Sequence, residues 1–145
     1  AYEELNDEMK LKIENLKVVH SSKLPYADDG FYATETEKRS MNIITSKEAK
    51  KEQIHSLVKV HPETQKKGLF INPVYTSHIQ GFNEEESFLL LSKLYEHMTQ
   101  EKYIYRHKWK ENMLLMWDNR TVMHMAEGGY DGYDRLLHRI TIANS

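Results

Sequence analysis

The sequence predicts a mainly β fold, an antiparallel β-sandwich with flanking helices packed outside it, and three features of its 145 residues lead there. Tyr103 to Trp109 alternates aromatic with polar residues, and Leu136 to Ile142 alternates again, which is the period-two pattern of half-buried strands. The apolar run Met113 to Trp117 follows the polar Lys110-Glu111-Asn112, so 103–117 is expected to form a β-hairpin. Helical periodicity is confined to two stretches that precede these strands.

The first stretch begins at Asn6 or Asp7, either of which can cap a helix running to about Val19, with Leu5, Met9, Ile13 and Leu16 on one face. From His20 to about Gln53 periodicity fades around Pro25, Asp28-Asp29-Gly30 and the mixed charges from Lys47 to Glu52, so a long mobile segment is expected over about 21–53. Ser56 to Val60 and Gly68 to Ile71 are short β-prone runs on either side of His61-Pro62-Glu63-Thr64-Gln65-Lys66-Lys67, where the proline and polar residues favour a turn. Asn83 with Glu86 three residues later makes a capping box for the second helix, whose apolar side is Leu90, Leu91, Leu94 and Met98 and which should end near Thr99. The last strand follows the glycine-rich turn Gly128-Gly129-Tyr130-Asp131-Gly132.

The chain is long enough for one domain and too short for two of ordinary size. Its apolar fraction is 39% and its charged fraction 29%, a lean core under a well-solvated surface. Twenty basic and twenty-two acidic side chains are interspersed to a formal net charge of -2, with no basic stripe for nucleic acid. The absence of cysteine excludes disulfides, a thiol nucleophile and thiolate metal sites, so any metal must use His, Asp or Glu. No run approaches the roughly 20 apolar residues of a membrane span and the N-terminus has no signal-peptide pattern, so a cytoplasmic protein with no membrane partner is expected.

Chemistry concentrates in Trp117-Asp118-Asn119-Arg120, then His124, then Arg135-Leu136-Leu137-His138-Arg139. This pattern resembles the C-terminal signature of the taurine dioxygenase family. Upstream, Val18-Val19-His20, His61-Pro62-Glu63-Thr64 with Leu69-Phe70-Ile71-Asn72, and Tyr75-Thr76 followed by Ile79 extend the likeness over nearly the whole chain. The resemblance implies the C-terminal portion of a double-stranded β-helix, or jelly roll, with residues 1–145 forming part of a single oxygenase domain. It also implies iron(II) as cofactor, 2-oxoglutarate as co-substrate and O2 as oxidant. A small anionic substrate (a taurine-like sulfonate, an alkyl sulfate or an aryloxyalkanoate) would be hydroxylated with release of succinate and CO2.

Family members hold iron with a His-x-Asp pair and a distant second His, a facial triad that leaves positions open for the co-substrate and O2. By resemblance His124 is that distal metal ligand, and no other catalytic residue is implied. Arg135 and Arg139 match the 2-oxoglutarate-binding arginines, where a guanidinium offers permanent charge and paired hydrogen bonds to a carboxylate. Four apart on a strand, they would face one pocket. Arg139 is also implied at the substrate anion, and Tyr75 in the substrate wall. Asp118, after the tryptophan, is expected to be a hydrogen-bonding support.

No His-x-Asp occurs in the sequence. The nearest mimic, His61-Pro62-Glu63, could complete a triad with His124, although Pro62 places it in a turn. The missing ligands are expected to lie in an N-terminal half outside this chain, and strand edges left without it would invite pairing with another copy, so a homo-oligomer is expected. The alternative from another class is a non-catalytic jelly-roll binding module that has lost the metal site. A hydrolase using His124 with Asp118 lacks a placed serine nucleophile.

Overall fold

The structure is a computed structural model that describes residues 1–35, 43–129, 132, 134 and 136–142. It opens with a single 3-10 turn at Tyr2–Glu4, followed by helix α1, Asp7–Ile13. Asn6 is the cap, its side chain accepting the Met9 backbone N–H at 2.8 Å. The helix stops at Ile13, short of the Val19 end that the apolar periodicity suggests. Val18 and Val19 instead fall in strand β1, Lys17–Ser21. Adjacent β-branched residues favour the pleated backbone, and both of these are buried, so the strand is covered on its two faces.

β1 is the centre of an antiparallel three-stranded sheet of order β2-β1-β5, with β2 spanning Glu52–Ser56 and β5 Thr76–Ile79. Val18 pairs with His55 on one side and Ile79 on the other. A second sheet is the hairpin of β3, Val58–Val60, and β4, Lys67–Leu69, across the turn that Pro62 foreshadows. Gln65 takes the left-handed conformation in that turn with φ 58. Between β1 and β2 the described residues hold two short helices, α2 at Lys23–Tyr26 and α3 at Phe31–Thr34, and a 3-10 turn at Lys47–Lys50. The long mobile segment expected over about 21–53 is therefore structured where it is described, and residues 36–42 lie outside the described residues.

Helix α4, Glu84–Met98, is closed by the capping box: the Asn83 side chain accepts the Glu86 N–H at 2.9 Å, and Glu86 accepts the Asn83 N–H at 3.1 Å. Ser87 Oγ accepts the Ile79 N–H at 3.1 Å, which ties α4 to the end of β5. Leu90, Leu91 and Leu94 then meet Met9, Ile13, Val18, Leu57 and Ile79 in one core between α1, α4 and the sheets.

After the 3-10 turn at Glu101–Tyr103 the described residues contain no helix or strand. The hairpin expected over 103–117 and the strand expected over 136–142 are not formed. Alternation is a local property, whereas a strand exists only through a hydrogen-bonded neighbour, and here no strand lies alongside. The alternating aromatics pack against one another instead, with the His107 and Trp109 rings edge-to-face at a centroid distance of 4.9 Å, and Leu114, Met116, Leu136, Ile140 and Ile142 are exposed.

Candidate functional site

The hairpin turn and the Trp117–Arg120 segment meet at a buried histidine. His61 is 8% exposed, and its Nδ1 accepts the backbone N–H groups of Thr64 at 3.1 Å and Glu63 at 3.3 Å. With Nδ1 an acceptor, the ring proton belongs on Nε2, which donates to Asp118 Oδ2 at 3.0 Å. Asp118 also accepts the Arg120 backbone N–H at 2.8 Å and the Arg120 Nε–H at 2.9 Å, and Arg120 reaches Glu63 at 3.0 Å. The Arg120 guanidinium, and then the His61 N–H, hold the Asp118 carboxyl far below the usual carboxylate range. The same contacts, Asp118 first and Glu63 second, raise the Arg120 guanidinium above its ordinary value.

This network removes the possibility that His61 and Glu63 complete a metal triad with His124. Both His61 nitrogens are engaged and Glu63 is paired with Arg120, so neither is a free donor. Asp118 occupies the supporting place expected of it.

His124 itself is exposed, with its ring packed against Trp117 at a centroid distance of 5.0 Å. No strand among the described residues encloses it, because those expected over 103–117 and 136–142 are not formed. Trp117 is oriented by its indole N–H, which donates to Asn119 Oδ1 at 2.7 Å.

Tyr75, assigned to the substrate wall, sits in a second group of side chains elsewhere. Tyr75 enters β5 from a turn in which Asn72 Oδ1 accepts the Val74 N–H at 2.8 Å, and its carbonyl accepts the Ser21 N–H at the end of β1, also at 2.8 Å. That chain end continues into α2, which stacks Tyr26 on Tyr75 with centroids 6.5 Å apart and planes 15° apart. Tyr32 on α3 packs against Tyr26 at 5.3 Å. Gly30 makes this packing possible, since a Cβ there would lie 2.8 Å from the backbone oxygens of Lys23 and Leu24. Burial first, then hydrogen bonding to Tyr26, push the Tyr75 phenol up to about 12, while the Arg139 charge acts in the opposite direction. Arg139 thus lies within electrostatic reach of Tyr75. Arg135 lies outside the described residues.

Sequence reasoning did not single out Tyr26, Tyr32 or the anchoring role of His61. The tyrosines sit in a stretch without periodicity, and the partner of His61 is far along the chain. Iron is the metal the family resemblance implies, but the described residues do not assemble a site for it: no group of three His, Asp or Glu side chains converges among them. No helix among the described residues is long and apolar enough to cross a membrane.

Comparison with known proteins follows the same residues. The family described as taurine catabolism dioxygenase TauD, TfdA family matches residues 1–141. An alkylsulfatase from Acinetobacter baylyi is 34% identical over 144 residues, which is 99% of this chain and 44% of that protein. An alpha-ketoglutarate-dependent 2,4-dichlorophenoxyacetate dioxygenase from Burkholderia sp. is 33% identical over 127 residues, 86% of this chain and 39% of that protein. The solved structure of AAD-2 in complex with Mn(II) and N-oxalylglycine superimposes with a TM-score of 0.58 at 33% identity, covering 75% of this chain and 40% of AAD-2. The chain spans less than half the length of each of these relatives.

Proposed function

The chain belongs to the taurine catabolism dioxygenase TauD, TfdA family, and from that premise we propose that it is the C-terminal part of a jelly-roll dioxygenase dependent on iron(II) and 2-oxoglutarate. The observation that carries the proposal is the family match over residues 1–141, which includes His124, Arg135 and Arg139. The substrate is a small organic anion that is hydroxylated as 2-oxoglutarate is converted to succinate and CO2. Sulfonates, alkyl sulfates and aryloxyalkanoates are the candidate classes.

Iron(II) would supply the activation of O2 in this class, and the described residues do not by themselves form its site. What this chain does is bind and orient. His124 offers one imidazole ligand. Arg135 holds the far carboxylate of 2-oxoglutarate through a permanently charged, two-pronged donor, and Arg139 presents a second cation to the co-substrate and the substrate anion. The influence of the Arg139 charge on the Tyr75 phenol supports this reading, since an organic anion calls for both a cation and an aromatic wall.

The test is succinate release by the whole protein with iron(II), O2 and 2-oxoglutarate, stimulated by one member of a panel of taurine, alkyl sulfates and aryloxyalkanoates. A protein that binds a panel member yet never forms succinate from 2-oxoglutarate would instead be the non-catalytic binding module.

A further inference from the structure

Asp118 is a junction between two parts of the molecule. Its carboxylate accepts from His61 across the hairpin turn, and its carbonyl accepts the backbone N–H groups of Thr121 at 3.2 Å and Val122 at 3.3 Å. Two residues beyond Val122 comes His124, seated on Trp117. A continuous path therefore runs from the buried His61 ring through the Asp118 side chain and the 118–122 turn to the imidazole of His124.

We propose that His61 is a positioning residue for His124: by fixing Asp118 against the β3–β4 hairpin, it sets the turn that presents the His124 ring against Trp117. This rests on His124 being the functional imidazole proposed above. Two other contacts hold Asp118 or its segment, and neither can do the same task. Arg120 lies two residues from Asp118 and belongs to the same turn, so it stiffens the turn without fixing it to the rest of the protein. The Arg120–Glu63 link does cross to the hairpin, but Glu63 is exposed, and an exposed ion pair is weak and screened by salt. His61, by contrast, is buried and held at both nitrogens, so its direction is specified.

The experiment follows the His124 ring protons by NMR, because the Trp117 ring at 5.0 Å displaces them from the positions of a free histidine. In His61→Leu the displacement should largely vanish. His61→Gln, whose amide can still accept from the turn and donate to Asp118, should keep most of it. Asp118→Ala, altered on the more exposed side of the contact, should match His61→Leu, and the double variant should add nothing further. If His61→Leu fails to fold, Asp118→Asn decides: its amide oxygen can keep the Arg120 contacts while its NH2 group cannot accept from His61, so the displacement should again largely vanish. Folded variants in which the His124 protons do not move would overturn the proposal. Because the readout needs no turnover, its failure is separable from failure of the dioxygenase reading, which the succinate assay tests independently.

Discussion

The His20 imidazole lies parallel to the Phe70 ring, with centroids 5.4 Å apart and planes 10° apart. His55 meets both rings edge-on, the Lys59 ammonium sits 3.4 Å from the Phe70 centroid, and Thr76 Oγ1 is 3.0 Å from His20 Nε2. Strands β1, β2, β3 and β5 thus contribute to one cluster in which three basic groups crowd an aromatic ring. Burial, then the charges of His55 and Lys59, lower the His20 pKa; burial and Lys59 lower that of His55; and burial lowers that of Lys59.

The cluster predicts acid sensitivity. A histidine whose folded pKa is depressed binds fewer protons folded than unfolded, so stability rises with pH across that window. The contribution is fully present above the unfolded value of about 6.5 and is lost as the pH falls through the lower folded value. The melting temperature should decline as the pH falls below neutral, and His20→Asn should flatten the decline. An unchanged pH profile in that variant would remove His20 from the cause.

Tyr75 offers a spectroscopic check on the aromatic wall. Tyr26→Phe removes a hydrogen-bonding contribution that raises the Tyr75 phenol, so the Tyr75 titration should move down from about 12 toward the ordinary value of 10.0. Ultraviolet difference titration of the two proteins measures this. Arg139→Gln should move it the other way, because a nearby positive charge is lost.

Arg135→Ala in the whole protein should raise the 2-oxoglutarate requirement about ten- to a hundredfold and leave the substrate requirement much less changed, since one charge-assisted bidentate contact is worth roughly 1.5 to 3 kcal/mol. Steady-state titration of each component separates the two effects. An unaltered 2-oxoglutarate dependence would take the co-substrate role away from Arg135.

Asn83→Ala opens the capping box of α4 and should cost about 1 kcal/mol of stability. Leu94→Ala, at a fully buried position, should cost roughly 2 to 5 kcal/mol. Denaturant unfolding of both variants orders the two effects, and a larger loss for Asn83→Ala would mean that α4 is held by its end more than by its packed face.

What the sequence made legible was chiefly what is local. The Asn83–Glu86 capping box, the α4 apolar face and the turn around Pro62 depend on residues within a few positions of one another, and all are present. The end of α1 was obscured because Leu16 continues a helical spacing while Val18-Val19 supplies the competing strand signal. Strands over 103–117 and 136–142 were read from alternation that no pairing partner turns into a ladder. In the candidate site, the residue types at 118, 124 and 139 stood out, but the partner of Asp118 did not, because His61 lies far away in sequence and meets it only after the hairpin has docked.

The place of β1 at the centre of its sheet also orders the folding reaction. The β3–β4 hairpin and α4 close short loops and can form early, whereas Val18 must find His55 on one flank and Ile79 on the other, both distant along the chain. Closing those loops costs entropy before the non-local contacts return it, so the three-stranded sheet is expected to complete its pairing late, after the hairpin and α4. Core substitutions on β1 should therefore accelerate unfolding more than they slow folding, whereas substitutions in α4 should do the reverse if that helix belongs to the nucleus.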